Sequence, residues 1–597
     1  MRSTIRLFAP LLLLPMLTDP AFAATAAPVS PNCGGSTTPI ADIQGPGATS
    51  PLAGQNVSIE AVVTADFGGF FVQQADAQRR NQPGVSEGLF VYAPKTRAQA
   101  GDLVHVTGKV EEKYGQTQLT LAGAIAVCAN GQTVTPATLT LPVDSPATFA
   151  AYEGMRVRLP QTLTVTENYE LGRYGSVMLS NGRLRTPTSV APPSQAQAQI
   201  EANARNRLIL DDGSNKQNPA SVPYPAPGLS AANTLRSGYT VRDVEGVLEV
   251  RYGAWRVQPL PGAAAPAFDT RSNPRTNAPA RDPKANLRVA SFNVLNYFNG
   301  NGLGGGFDDP NNRGAKNYQE FQRQEAKIVS ALKALNADVI GLMEIQNNGY
   351  GELGAVRQLA AKLGSHWRVV DPGTSRLGGD AIAVAMIYDS RTVEPVGRAA
   401  TLAIDDKNRQ PLAQSFRRVG GKQALTIAVN HLKSKNCPDA ANDDLDQGDG
   451  QGCWNPTRTR AAAKLADWLA GAPTGVAGQG TLLIGDFNSY TFEDPIRLLE
   501  SRGYRNLVAR WIGANAYSYV YNGEAGYLDH ALASLPLASH VKAVHEWHIN
   551  ADEPLALQYT LAYKSAEQQK TYYAPDAYRS SDHDPVLIDI ALPGGGR

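Results

Sequence analysis

Residues 263–286 are rich in Ala, Pro, Asn and Arg, follow neither a helical nor a strand period, and separate two stretches of different character. Such a segment reads as a linker. Before it the apolar residues fall in short alternating runs, Val57 to Val63, Gly69 to Gln73, Gly88 to Tyr92, Leu103 to Glu111 and Thr117 to Leu121. Gly, Pro and Asn punctuate these runs, the pattern of a small all-β barrel or sandwich. After it, short apolar strands alternate with helical stretches near 318–335, 352–363 and 457–470. Irregular strand spacing there favours a mixed α/β sandwich over a purely parallel sheet. At 597 residues the chain is too long for one core. Its charged fraction of 18% and hydrophobic fraction of 42% exclude a charge-driven disordered protein, and a net charge of +1 gives no global field for a polyanion. Any anion site must be local.

Residues 1–23 carry Arg2 and Arg6, a short apolar stretch and Ala21-Phe22-Ala23, the arrangement of a signal peptide. The chain is therefore expected outside the cytoplasm, secreted to the periplasm or medium, where disulfides persist. Four cysteines allow three pairings. Cys437 and Cys453 flank one hydrophilic loop, and Cys33 and Cys128 bracket one candidate domain, so the expected bridges are Cys33–Cys128 and Cys437–Cys453. No CxxC spacing suggests zinc.

Thr107 to Gly115 reads TGKVEEKYG and Glu245 to Gly253 reads EGVLEVRYG. This shared pattern implies that residues 36–135 and 140–262 hold two related β-modules, the second with an irregular loop insertion near 186–235.

In the C-terminal part, polar residues directly follow apolar runs: Asn293, Glu344, Asn430-His431, Asp486 and Asn488 in GDFN, Asp529-His530, and Asp582-His583-Asp584. A carboxylate or amide at that position lies at the rim of a sheet, where sites form. Oxygen donors of this kind suit a hard divalent ion. The lack of HExxH, GxxxxGK[ST] and GxSxG removes the main support for zinc-hydrolase, P-loop and serine-hydrolase readings.

The order of these motifs over residues 287–592 resembles the endonuclease/exonuclease/phosphatase superfamily, the DNase-I-like fold, and within it the secreted bacterial ExeM/NucH-type nucleases. Residues 36–135, with Asp42-Ile43-Gln44-Gly45 and Gly69-Phe70-Phe71-Val72-Gln73, resemble the OB-fold domain that precedes many of them. The implied fold is α+β: a four-layer α/β/β/α sandwich preceded by one or two small OB-like modules. The implied activity is metal-dependent hydrolysis of phosphodiesters in DNA, with RNA a second substrate, by endonucleolytic cleavage. Carried over residue by residue, Asn293 and Glu344 resemble the first metal pair. Asp486 and Asn488 match residues that hold phosphate, the attacking water or a second metal, and Asp582 matches a metal-associated carboxylate. His583 matches the catalytic histidine and Asp529 its orienting carboxylate. His431 matches the second histidine, with Asp380 in the place of its acidic partner, while Arg409 and Lys433 resemble phosphate contacts. The resemblance implies Mg²⁺ or Mn²⁺ as cofactor and nucleic acid as the partner, with no membrane insertion.

Two rivals stand beside this reading: a phosphatase or phospholipid phosphodiesterase of the same fold, and a non-catalytic nucleic-acid- or glycan-binding surface protein. The aromatics Phe70, Phe71, Phe90, Tyr92 and Tyr114 are candidates for a base-stacking platform, and core packing is the alternative. Between Cys437 and Cys453, the spacing of Asp444, Asp446 and Asp449 resembles a structural Ca²⁺ loop, with a solvated acidic loop as the alternative.

Overall fold

The computed structural model describes residues 33–593; the expected signal peptide lies outside them. The first strands close on themselves. Asn56–Asp66 pairs with both Phe70–Gln73 and Leu103–Lys113, and Gly88–Tyr92 and Gln116–Leu121 complete a closed five-stranded barrel. Its interior is filled by Ile59, Val63, Phe70, Val91, Val106 and Leu119. A nine-stranded sheet spanning residues 137–269 follows, with the hairpin Val244–Arg251 and Ala254–Pro259 among its strands. The stretch expected as irregular loops contains the helix Ala196–Arg205 and the strand Leu208–Leu210, which pairs in parallel with Ala254–Pro259. Ala-rich composition there supports a helix rather than a loop.

The C-terminal part holds two six-stranded sheets. One runs Trp367–Val369, Ile382–Asp389, Val339–Gln346, Leu287–Tyr297, Val586–Ile590, Val541–Glu546. The other runs Val393–Thr401, Leu412–Arg418, Ala424–His431, Thr481–Asp486, Asp529–Ser534, Tyr504–Asn506. Central strands are buried on both faces, which is why they read as near-continuous apolar runs. Val289, Met343, Ile427, Ile484 and Ile588 fill the space between the sheets. At Gly341 a Cβ would stand 2.7 Å from side-chain atoms of both Val429 and Ile484, so glycine there lets the sheets approach. Outside the first sheet lies the helix Tyr318–Leu335, capped by the Asn317 side chain and burying Phe321, Ile328, Leu332 and Leu335 at helical spacing. Outside the second lies the helix Asn455–Ala470, which buries Ala461, Leu465 and Leu469. These four layers make a mixed α+β domain.

Both expected disulfides form, with Cα separations of 5.5 Å for Cys33–Cys128 and 5.1 Å for Cys437–Cys453. They fit an oxidising, extracellular-type environment. No helix among the described residues is long and apolar enough to cross a membrane.

The segment 263–286 is strapped to both sides rather than free. Phe268–Asp269 pairs with Thr240–Val241, Arg275 is bonded to Glu553 at 2.7 and 2.8 Å, and the Thr276 carbonyl accepts from Trp547 and Tyr578. Of the five candidate platform aromatics, Phe70 fills the barrel core. Phe71, fully buried, packs with Ala65 against Val247 of the nine-stranded sheet. Successive residues of a strand point to opposite faces, and here both faces are covered.

Candidate active site

Sheet register brings the strand-end residues together. His431 lies opposite Asp486 on the neighbouring strand, and Asp486 opposite Asp529 on the next, so the three stand side by side at one rim. In the facing sheet Asn293 pairs with Met343, the residue before Glu344. Both strands bulge there: register shifts fall between Asn293 and Tyr297 and between Leu342 and Ile345. Leu295, Asn296 and Glu344 take positive φ, 51°, 48° and 66°. A bulge re-aims side chains beside it, and a glutamate held left-handed stores strain that surrounding contacts must maintain.

Those contacts are visible. Glu344 Oε2 accepts from the Asn296 N–H at 2.9 Å, and Oε1 accepts from Asn293 Nδ2 at 3.2 Å. The same Asn293 amide reaches Asp486 Oδ2 at 3.3 Å and so links the two sheets. Asp486 Oδ1 accepts from the Asn488 N–H at 2.8 Å, and Asn488, also at positive φ, donates from Nδ2 to the Leu432 carbonyl. His583 Nδ1 lies 2.7 Å from Asp529 Oδ2, which also accepts from the Ser518 hydroxyl at 2.6 Å. The Tyr519 ring stacks on the His583 imidazole, centroids 4.6 Å apart. His583 Nε2 faces Asp486 Oδ2 at 3.9 Å, and His431 Nε2 lies 3.5 Å from the same oxygen.

The two histidines are driven in opposite directions. Burial alone would lower His583, but the charges of Asp529 and Asp582 and the Asp529 hydrogen bond raise it well above the ordinary histidine value. His431 is lowered well below it by burial and by the positive charges of Arg409 and His583. Glu344 is raised by burial and by the Asp582 charge, and burial pushes Asp486 up to about 7.

Crowded, buried carboxylates of this kind are where a cation is most favourable. The donors are hard oxygens, which fits Mg²⁺ or Mn²⁺ held by one or two carboxylates together with water and substrate oxygens. Among the described residues no three His, Cys, Asp or Glu side chains gather into a ligand cage. The fit therefore rests on Glu344 and Asn293, with Asp486, Asn488 and Asp582 around them.

Three expected placements differ. Asp380 does not back His431: its carboxylate pairs with Arg409 at 3.0 Å and Arg313 at 2.9 Å, and the buried Nδ1 of His431 has no hydrogen-bond partner among the described residues. Two guanidiniums offer stronger, charge-assisted bonds than a neutral imidazole. Arg409 is correspondingly held by Asp380 and the Leu432 carbonyl, while Lys433 Nζ bonds to Ser434 and stands 5.1 Å from the Trp454 ring centroid. The acidic loop does not present a converging carboxylate set. Asp444 is buried and accepts from the N–H and hydroxyl of Thr457, capping the helix Asn455–Ala470, while Asp446 and Asp449 close local turns to Gly448 and Gln451. Replacing Asp444 by Ala should cost about 1–2 kcal/mol as a lost cap. A urea midpoint lowered equally with and without Ca²⁺ is expected; a calcium-dependent difference would restore the cation reading.

Ser518, Tyr519 and Asn550 escape sequence reading, and Asp584 reads there only as a rim residue with no role. Asn550 Oδ1 accepts from the N–H groups of Ser580 and Ser581 while its Nδ2 donates to the His583 carbonyl, and Asp584 accepts from the N–H groups of Asn550 and Ala551. This pairing holds the His583 loop. Only Asp584, inside SDHDP, carried a signal.

Residues 290–583 match the Endonuclease/Exonuclease/phosphatase family, and residues 129–267 match a domain of unknown function, DUF8508. No curated protein matches the chain. Similar solved structures include the human Nocturnin catalytic domain, at 14% identity over 52% of this chain and 95% of that one, TM-score 0.33. A humanized D. rerio TDP2 matches at 12% identity over 51% and 97%, TM-score 0.32. A mannosyl-6-phosphatase of Bacteroides thetaiotaomicron matches at 14% identity over 51% and 100%, TM-score 0.32.

Proposed function

We propose, from the premise that residues 290–583 form an endonuclease/exonuclease/phosphatase-family domain, that this chain is a secreted, metal-dependent nuclease cleaving phosphodiesters of extracellular DNA. The observation that carries the reading is the Asp529–His583 pair aimed at Asp486, beside the Asn293–Glu344 pair from the facing sheet. A phosphodiester needs a proton for its leaving oxygen and stabilisation of charge building on the phosphate. His583, fixed by Nδ1 and charged, offers Nε2 as proton donor to the leaving oxygen. Neutral His431, whose Nε2 lies 3.5 Å from Asp486 Oδ2, can hold the attacking water together with that carboxyl. Glu344 and Asn293 would hold the divalent ion, which when bound supplies Lewis-acid stabilisation to the phosphate. The closed barrel and the signal-like N-terminus support the OB-like and secreted parts of the reading.

Incubation with supercoiled plasmid, single-stranded DNA, RNA, sphingomyelin and a phosphomonoester, each with Mg²⁺ or with EDTA, tests it. Plasmid nicking that EDTA abolishes is expected; release of phosphate from the monoester alone would reassign the domain to a phosphatase. Glu344→Gln should raise the Mg²⁺ concentration giving half-maximal cleavage and lower the rate at least about tenfold, because a neutral amide is a weaker ligand for a hard ion. An unchanged Mg²⁺ titration would remove Glu344 from the metal site.

A further inference from the structure

The two halves of the internal repeat meet across one groove. The first hairpin, Leu103–Lys113 and Gln116–Leu121, belongs to the barrel, and the second, Val244–Arg251 and Ala254–Pro259, belongs to the nine-stranded sheet. Packing of Phe71 and Ala65 against Val247 holds the two units together. Both hairpins help line an open groove of about 980 Å³.

The tips repeat residue for residue. Lys113 pairs with Gln116 and Arg251 with Ala254, so each turn consists of two residues, Tyr114-Gly115 and Tyr252-Gly253. All four take positive φ: 55° and 83° in the first turn, 53° and 74° in the second. A turn with both central residues in that region favours Asn or Asp before the Gly, and a bulky aromatic there is strained. Neither ring recovers the strain by burial, since Tyr114 is 91% and Tyr252 84% exposed. Tyr252 keeps one long cation–π contact, with the Arg256 guanidinium 5.7 Å from its centroid, and Tyr114 has none among the described residues. Burial therefore does not account for the same unfavourable choice made twice, with a Lys or Arg preceding it each time. Tyr92, 45% exposed, lines the groove between them. Glu111 also lines it, but its Oε2 is occupied by the Thr120 hydroxyl at 2.7 Å.

We propose that the groove between the hairpins Tyr114-Gly115 and Tyr252-Gly253 binds a single-stranded polynucleotide, with bases stacked on Tyr92, Tyr114 and Tyr252 and phosphates beside Lys113 and Arg251. Exposed aromatics interleaved with cations are what an unpaired strand requires, since every base has a stacking face and every linkage a negative charge. Arg251 already bonds to Glu249 at 3.2 Å and to Asn215, with donors left over for a phosphate, whereas Lys113 has no ion pair among the described residues and a neutral glycan would leave it so. This site deepens the nuclease reading: it retains strands beside a separate cleaving domain.

The test is fluorescence anisotropy of a labelled oligothymidylate of about 16 nucleotides, the upper site size of one such barrel, titrated with the full chain in EDTA. Wild type is compared with Tyr114→Asn, Tyr252→Asn and the double variant. Asn suits the left-handed turn, so the melting temperature should hold or rise while stacking is lost. Each single change should weaken binding about tenfold, within the range of base–aromatic stacking. Lys113→Gln and Arg251→Gln should each flatten the salt dependence by about one phosphate contact. Equal affinity in the double variant, or no binding by wild type, overturns the proposal. Binding of a neutral chito-oligosaccharide instead, lost in the double variant, overturns it in favour of glycan. Wild-type cleavage of a short duplex in Mg²⁺ is scored separately: inactivity there counts against the nuclease reading, whereas the EDTA titration alone decides the groove.

Discussion

Replacing His583 by alanine should lower nuclease turnover by at least about 100-fold, the minimum expected when a general acid is lost. The expectation rests on geometry. Nδ1 is tied to Asp529 at 2.7 Å, the Tyr519 ring lies against the imidazole, and Nε2 looks onto Asp486. The second histidine does not replace this donor, because His431 is held neutral by burial and by Arg409. Asp529→Asn provides the second reading. Burial then acts on His583 with the charges of Asp582 and Asp486 still opposing it but without the Asp529 charge and hydrogen bond, so its pKa falls. Turnover that needs charged His583 declines as pH rises through that pKa, and the alkaline limb of the rate profile should move to lower pH in the Asn variant. Partial recovery of His583→Ala by added imidazole would mark a proton-transfer role rather than a structural one. More than a tenth of wild-type rate in His583→Ala, or an unmoved alkaline limb in Asp529→Asn, would assign proton donation elsewhere.

What was legible in the sequence follows from where burial is two-sided. Strands such as Leu287–Tyr297 and Ala424–His431 are covered on both faces, so they stand out as apolar runs, and the first polar residues after them mark the rim. Asn293, Glu344, His431, Asp486, Asp529 and His583 could be collected that way because each sits at or near a strand end. Asp380 could not be resolved so: it lies in a loop, and its partner was decided by a contest between His431 and two arginines that no local pattern records. Phe70 and Phe71 illustrate another limit. A strand whose outer face meets a second sheet looks like one with an exposed aromatic platform until Val247 is placed against it. Tyr114 and Tyr252 were the reverse case, where the repeated K/R-Y-G motif was readable but the shared groove depended on how two sheets pack. Ser518 and Asn550 had no signature because they act through backbone and side-chain bonds to residues 11 and about 30 positions away.

Arg236→Met should be strongly destabilising, at about 3 kcal/mol. That is the lower end for breaking one partner of a buried ion pair. Arg236 comes from the β-rich part, its side chain 1% exposed, and it bonds to Glu553 and, at 3.4 Å, to Asp552 of the C-terminal domain, both fully buried. Arg183 at 2.8 Å and Arg275 at 2.7 Å complete the cluster and keep the loss from being larger. Its position gives it a consequence for the site. Asp552 and Glu553 directly follow Asn550 and Ala551, which hold the loop carrying His583. Loosening the cluster should therefore lower turnover as well as the urea midpoint. Acid adds a second readout. Burial would raise Asp552, but Arg183 and Arg236 pull it down to about 2, below its ordinary 3.8. A carboxylate lowered on folding stabilises the protein above its unfolded pKa and loses that contribution as pH falls through the folded one. Between about pH 4 and pH 2 wild type should thus lose about 2 kcal/mol from this group. With Arg236 gone, Asp552 titrates closer to 3.8, the loss has a smaller amplitude and is complete at higher pH. Matching urea midpoints for wild type and Arg236→Met at neutral pH, or parallel acid unfolding curves, would show that the β-rich part does not brace the His583 loop through this cluster.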